Sequence, residues 1–96
     1  MPAATRIYDN CSGHDACPPR PLIEGSPNVF TNNRNAGRVG DNYTTHSCIE
    51  HPPHGGIIAS GSHTVFINGR QAGRIGDPVS CGSTVAQGSN NVFIGG

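Results

Sequence analysis

The sequence predicts a small all-β fold, three copies of one short hairpin unit packed about a pseudo-threefold axis. Three observations predict it. The same two phrases recur along 96 residues, turn-forming residues are dense, and apolar residues fall in short β-branched runs. Fourteen Gly and eight Pro make long helices improbable. Leu, Ile, Val and Phe number only eighteen, so burial alone is a weak source of stability and a staple is expected. Six Arg balance six acids, so self-repulsion does not hold the chain open.

The first phrase reads Gly25-Ser26-Pro27-Asn28-Val29-Phe30, then Gly61-Ser62-His63-Thr64-Val65-Phe66-Ile67, then Gly88-Ser89-Asn90-Asn91-Val92-Phe93-Ile94. The second reads Asn35-Ala36-Gly37-Arg38-Val39-Gly40-Asp41 and Gln71-Ala72-Gly73-Arg74-Ile75-Gly76-Asp77, with a fainter copy at Ala4-Thr5-Arg6-Ile7-Tyr8-Asp9. Each unit is a strand, a turn and a strand. Asn68-Gly69 is a strong two-residue hairpin turn because both positions tolerate φ > 0, and Asn32-Asn33 occupies the same place. The second strand, with small residues at alternate positions, permits close backbone approach near an axis. Val29, Phe30, Val65, Phe66 and Val92 are expected in the core. The chain starts and ends inside a unit, so residues 4–9 are expected to pair with residues 92–94 and complete the third wall.

Each repeated Asp opens a loop bearing His or Cys. His14 and His46 each stand five residues after their Asp, while His54 and Cys81 each stand seven before the next Gly-Ser phrase. His14, His46, His54 and Cys81 are therefore positions that the repeat brings to one apex. Three imidazoles and a thiolate form a closed tetrahedral set for Zn²⁺. Such a site contributes on the order of 10 kcal/mol of metal-linked folding free energy in zinc fingers. His51, held in rigid relation to His54 by Pro52-Pro53, is the alternative fourth ligand. Cys48 is a weaker competitor, and His63 is expected to be exposed. Cys11 and Cys17 flank His14 at a spacing that permits a disulfide without requiring it.

Other functions are excluded by what is missing. The absence of Lys and of any basic run speaks against nucleic acid, and no apolar stretch is long enough for stable membrane insertion. The N-terminus has no secretory h-region, so synthesis in the cytoplasm and export without a cleavable signal are expected. An enzyme is not expected. Cys81 closes the position that a catalytic zinc keeps open, and no His-Glu-x-x-His spacing occurs. Glu50 and Asp15, beside His51 and His14, are expected to be outer groups or solvent-facing.

The Gly-Ser-x-x-Val-Phe phrases, Asn68-Gly69 leading into Ala72-Gly73-Arg74-Ile75-Gly76-Asp77, Gly13-His14-Asp15 with Pro18-Pro19, and Cys81-Gly82 together resemble the PAAR-repeat family across essentially the whole chain. The literal phrase departs at Pro2-Ala3-Ala4-Thr5-Arg6, which carries an insertion. The resemblance implies a sharp β-cone with a zinc-pinned tip. Family members often carry fused toxin domains, but 96 residues leave no spare length for one, so a single domain over residues 1–96 with no fused effector domain is expected. His14, His46, His54 and Cys81 match the zinc ligands, with His51 still an alternative to His54. It further implies a partner: one cone caps and sharpens a trimeric β-helical membrane-piercing spike. That spike is of the VgrG type in type VI secretion, or the central spike of a contractile phage tail. Separate effector cargo is a further expected partner, and delivery is outside the cell or within a virion tail. The competing reading is a free-standing extracellular binding module held by a Cys11–Cys17 disulfide and zinc.

Overall fold

The computed structural model describes residues 1–13, 18–48 and 51–96, with the backbone alone at 46–48 and 51–54. Among these residues every regular element is a strand. Three antiparallel hairpins form, β1 (Phe30–Thr31) with β2 (Arg34–Asn35), β3 (His46–Cys48) with β4 (His51–His54), and β5 (Phe66–Ile67) with β6 (Arg70–Gln71). The turns of β1–β2 and β5–β6 behave as their residues predict. Asn32, Asn33, Asn68 and Gly69 have φ of 54, 65, 54 and 75°, the left-handed pair of a twist-matched hairpin. The third repeat hairpin is built from the two ends of the chain. Ala3 bridges Phe93, the Ala4 amide donates to Val92 O at 3.0 Å, and that of Ile94 donates to Pro2 O at 2.9 Å.

These three corners close into a ring. Antiparallel bridges join Arg6 to Ala36, Arg38 to Ala72, and Arg74 to Ala4, so each corner pairs with both neighbours. At the centre the backbone makes a triangle. Gly73 N donates to Gly37 O at 2.9 Å, Gly37 N to Thr5 O at 3.0 Å, and Thr5 N to Gly73 O at 3.1 Å. A Cβ on Gly37 would stand 2.7 Å from Thr5 Cγ2, and one on Gly73 would stand 3.0 Å from the same methyl. The axis thus has room for one side chain, and Thr5 fills it. The molecule measures 38 × 23 × 23 Å, and two equal short axes are what a threefold arrangement along the long one produces.

The Gly-Ser phrase locks each corner. The amides of Ser26, Ser62 and Ser89 donate to the carbonyls of Ala36, Ala72 and Ala4 at 2.8, 2.9 and 2.8 Å. A Cβ on Gly25, Gly61 or Gly88 would collide with the backbone of the same strand, which cannot give. Each serine Oγ accepts the amide of the Val three residues on, at 2.9 Å in all three cases. It then donates across to a neighbouring turn, to Asn68 Oδ1 from Ser26, to Gly95 O from Ser62 and to Asn32 Oδ1 from Ser89.

Two buried layers follow the repeat. One holds Ala4, Ala36, Ala72, Ile67 and Ile94. The other holds Cys11, Tyr43 and Val79, each two residues after a repeated Asp, with Leu22, Ile58 and Val85, each three before a Gly-Ser phrase. The expectation that the Val-Phe pairs are core is overturned. Phe30 and Phe66 are each 56% exposed and Val29, Val65 and Val92 are 37–38% exposed. Alternation explains it: in β5 the inward position belongs to Ile67, so Phe66 points out. The small residues at the axis leave no space that an aromatic ring could enter.

Candidate functional site

The loops at one end are launched by a repeated fork. In Arg6–Asp9, Arg38–Asp41 and Arg74–Asp77, the Arg backbone amide and Nε both donate to Asp Oδ2, and Nη2 donates to Oδ1. The Asp amide returns a bond to the Arg carbonyl at 3.0 Å each time. Each Asp is nearly buried, so the pair fixes both the turn and the direction in which the next residues leave. Hydrogen bonding to Asp41 holds Arg38 above its ordinary value, against its burial. The remaining guanidinium edge reaches a hairpin turn, Asn32 from Arg6, Asn68 from Arg38 and Gly95 O from Arg74.

Beyond the forks the three loops are stitched to one another. Cys11 bridges Val85, Leu22 bridges Tyr43, and Ile58 bridges Val79. The loop after Asp9 is tied to the loop after Asp77 once more, by Ser12 N to Thr84 O at 2.8 Å and the Ser12 and Ser83 hydroxyls at 3.1 Å. The loop after Asp41 rises as β3–β4, in which His46 is the register partner of His54 and Cys48 that of His51. Cys81 is a half-buried free thiol packed on the Tyr43 layer. Its sulfur lies against Gly56, where a Cβ would come within 2.9 Å of Sγ.

Of the predicted ligands, then, His46 and His54 share a register position and Cys81 abuts the foot of their hairpin. His14 lies outside the described residues, two positions past Ser12. Asp15, Cys17 and Glu50 also lie outside them, so the Cys11–Cys17 pairing and the outer-group expectations do too. Cys11 is a buried free thiol that accepts the Arg20 amide at 3.4 Å. Among the described residues no three His, Cys, Asp or Glu converge on one point. The donor chemistry nevertheless suits Zn²⁺: imidazole and thiolate are its preferred ligands, and Gly56 leaves the sulfur the room a side chain would take.

Tyr43 is the residue that sequence reasoning missed. It is 2% exposed, and among the described residues its hydroxyl has no hydrogen-bond partner. Burial pushes its phenol well above the usual range, so it remains a protonated donor. The available signal was its phase, two residues after Asp41, where the other loops carry Cys11 and Val79.

The opposite end is apolar and threefold. Val29 and Phe30, Val65 and Phe66, and Val92 and Phe93 form three exposed patches, the phenylalanines 56, 56 and 50% exposed. His63, exposed as expected, stands in the same phrase as the second patch. Among the described residues no helix is long and apolar enough to cross a membrane.

Three hairpin corners on one axis, with gathered loops at one end and repeated apolar patches at the other, define a small repeat-built β-protein. The family model of the PAAR motif matches residues 50–96, and the chain belongs to that family, as the repeated phrases imply. Two curated relatives from Pseudomonas aeruginosa are each 46% identical over an alignment of 81 residues that covers 78% of this chain. They are the NAD(P)(+) glycohydrolase toxin Tse6 of strain PAO1 and the (p)ppApp synthetase toxin Tas1 of strain UCBPP-PA14. The chain spans only 19% and 18% of their lengths.

Proposed function

We propose that this protein caps and sharpens the blunt end of a trimeric β-helical spike in a contractile injection system, type VI secretion or a phage tail. The observation that carries this is the three-fold repetition of one exposed patch. Val29/Phe30, Val65/Phe66 and Val92/Phe93 have near-equal exposure at three corners. A single chain that repeats a patch three times matches the end of a symmetric trimer, one copy per trimer. Covering the trimer's terminal strand edges would also block strand addition there.

At the other end the proposal places Zn²⁺ among His14, His46, His54 and Cys81. Distance favours His54 over His51. Cys81 sulfur lies at Gly56, two residues past His54 and five past His51, roughly 7 against 16 Å along an extended chain. The bound ion would tie the three loops into one point able to bear axial load. The role is mechanical, with no reaction of its own. The named toxin relatives, of which this chain spans about a fifth, suggest carriage of effectors, and delivery outside the cell follows from riding the spike.

The test mixes the purified protein with a trimeric β-helical spike and measures mass by light scattering. One chain per trimer is expected, lost in Phe30→Asp/Phe66→Asp/Phe93→Asp. A stable monomer with no affinity for the trimer supports instead the free-standing module. Elemental analysis should find about one zinc per chain, absent in His14→Ala, His46→Ala, His54→Ala and Cys81→Ala and retained in His51→Ala.

A further inference from the structure

We infer that the third arginine–aspartate fork is an unfilled receptor for one arginine side chain, supplied by a partner polypeptide bound once per molecule. The inference comes from the repeat itself and rests on neither the metal nor the spike. The other two forks are each crossed by a second arginine from the next hairpin. Arg34 donates through Nε to Ile7 O at 2.9 Å and through Nη2 to Asp9 Oδ1 at 3.0 Å. Arg70 donates in the same way to Val39 O at 2.7 Å and to Asp41 Oδ1 at 3.1 Å. The matching acceptors of the third fork are Ile75 O and Asp77 Oδ1. Among the described residues nothing donates to Ile75 O, and Arg74 alone reaches Asp77 Oδ1. Pro2 holds the position from which the crossing arginine would come. It stands one residue before Ala3, as Arg34 and Arg70 stand one before Asn35 and Gln71.

The space is present as well as the acceptors. A Cβ on Gly40 would stand 2.8 Å from Arg70 Nη2, whereas one on Gly76 would meet nothing within 4 Å. Asp77 is also the most exposed of the three aspartates, at 7% against 4% for Asp9 and 1% for Asp41. Its fork makes the same internal bonds as the other two, so carbonyl and carboxylate are presented alike. That pair suits the planar row of guanidinium N–H groups, which an ammonium, a single point of charge, does not match. One exposed ion pair is weak, so a free small molecule gains little from it, and the slot serves as one anchor within a wider protein contact. Its number sets that of the partner. A threefold partner would bring three arginines to three forks, of which two are already crossed. The partner that fits is therefore present once.

The test titrates the ¹⁵N-labelled protein with the blocked tripeptide acetyl-Gly-Arg-Gly-amide, with its lysine counterpart and with free arginine. Saturable shifts of the Gly76 and Asp77 amides are expected at about millimolar arginine peptide, with the lysine peptide about fivefold weaker. The amides of Tyr8 and Gly40, at the crossed forks, should not move. Asp77→Asn should abolish the shifts, and so should Pro2→Arg, which supplies the guanidinium from within. The absence of any shift overturns the inference, as does equal binding of the lysine peptide. Shifts that survive Asp77→Asn, or that appear equally at all three forks, mark non-specific charge and overturn it too. Free arginine that binds more tightly than the peptide would make the source a small molecule and overturn the assignment to a polypeptide. Self-association that Asp77→Asn abolishes, read by light scattering, would make the occupant a second copy and do the same. Should Asp77→Asn not fold, Pro2→Arg decides, and peptide shifts that persist in it overturn the inference.

Discussion

Two corners of the ring, residues 25–41 and 61–77, are continuous pieces of chain, while the third joins residues 88–96 to 1–9. The continuous corners use side chains where the split one uses backbone. Asn32 and Asn68 each receive a serine hydroxyl and an arginine through Oδ1, and in the split corner the carbonyl of Gly95 receives both. One contact has no substitute. Arg34 and Arg70 cross to Asp9 and Asp41, but Pro2 stands in the equivalent place, and among the described residues Asp77 is bound by Arg74 alone. The ring therefore tolerates an open corner because its bonds converge on backbone positions that a chain break does not remove.

The sharpest way to break that comparison is to neutralise the aspartates in turn. Asp41 is 1% exposed and serves two arginines, so Asp41→Asn should cost about 3–4 kcal/mol, within the range for breaking a buried pair. Asp77 is 7% exposed and serves one, so Asp77→Asn should cost about 2 kcal/mol. Urea unfolding of both variants, compared at equal slope, measures the difference. Equal losses would mean that the crossing arginine contributes nothing and that the split corner is as well braced as the others.

How much of this was legible beforehand depends on whether a feature is local or closes through space. The turns at Asn32-Asn33 and Asn68-Gly69, the pairing of the chain ends and the close approach at the axis follow from residue types in a repeated phrase. The outward-facing Phe30 and Phe66 do not, because in strands two residues long no alternation is visible and large apolar residues default to the core. The Arg–Asp forks were written in the sequence as Arg-x-x-Asp, with Gly before the Asp in two of the three, yet their bond from side chain to its own turn is a matter of geometry rather than spacing. Tyr43 escaped notice since only the packed structure reveals that its hydroxyl has no partner among the described residues. The His and Cys phases fall on loops that are bridged to one another, and β3–β4 pairs His46 with His54 as it pairs Cys48 with His51.

The axis gives a second contrast. Gly73→Ala drives a Cβ to within 3.0 Å of the Thr5 methyl and 2.9 Å of Ile58 Cδ1, and overpacking of this kind costs about 1–3 kcal/mol. The accompanying change Thr5→Gly clears the first contact only. The double variant should accordingly recover part of the loss, and a thermal melt of the single and double variants reads the coupling. Full additivity would show that Thr5 and Gly73 do not compete for one space.

The smallest effect concerns the residue before each aspartate. Gly40 and Gly76 hold φ of 92 and 93°, and Tyr8 of the split corner adopts 75° in the same place. A tyrosine there carries left-handed strain of roughly 1–2 kcal/mol, and Tyr8→Gly removes it. Against this stand the greater freedom of glycine in the unfolded chain, about 0.5–1 kcal/mol, and the loss of the Arg34 guanidinium over the Tyr8 ring at 5.9 Å. At an exposed site that contact contributes about 0.5 kcal/mol. The terms nearly cancel, so Tyr8→Gly should shift stability by less than about 0.5 kcal/mol. Gly76→Ala isolates the strain, since nothing lies within 4 Å of its added Cβ, and should cost about 1 kcal/mol. If Tyr8→Gly instead destabilises by more than Gly76→Ala does, the tyrosine holds Arg34 against Asp9, and the split corner has found in an aromatic face the brace that its missing turn does not provide.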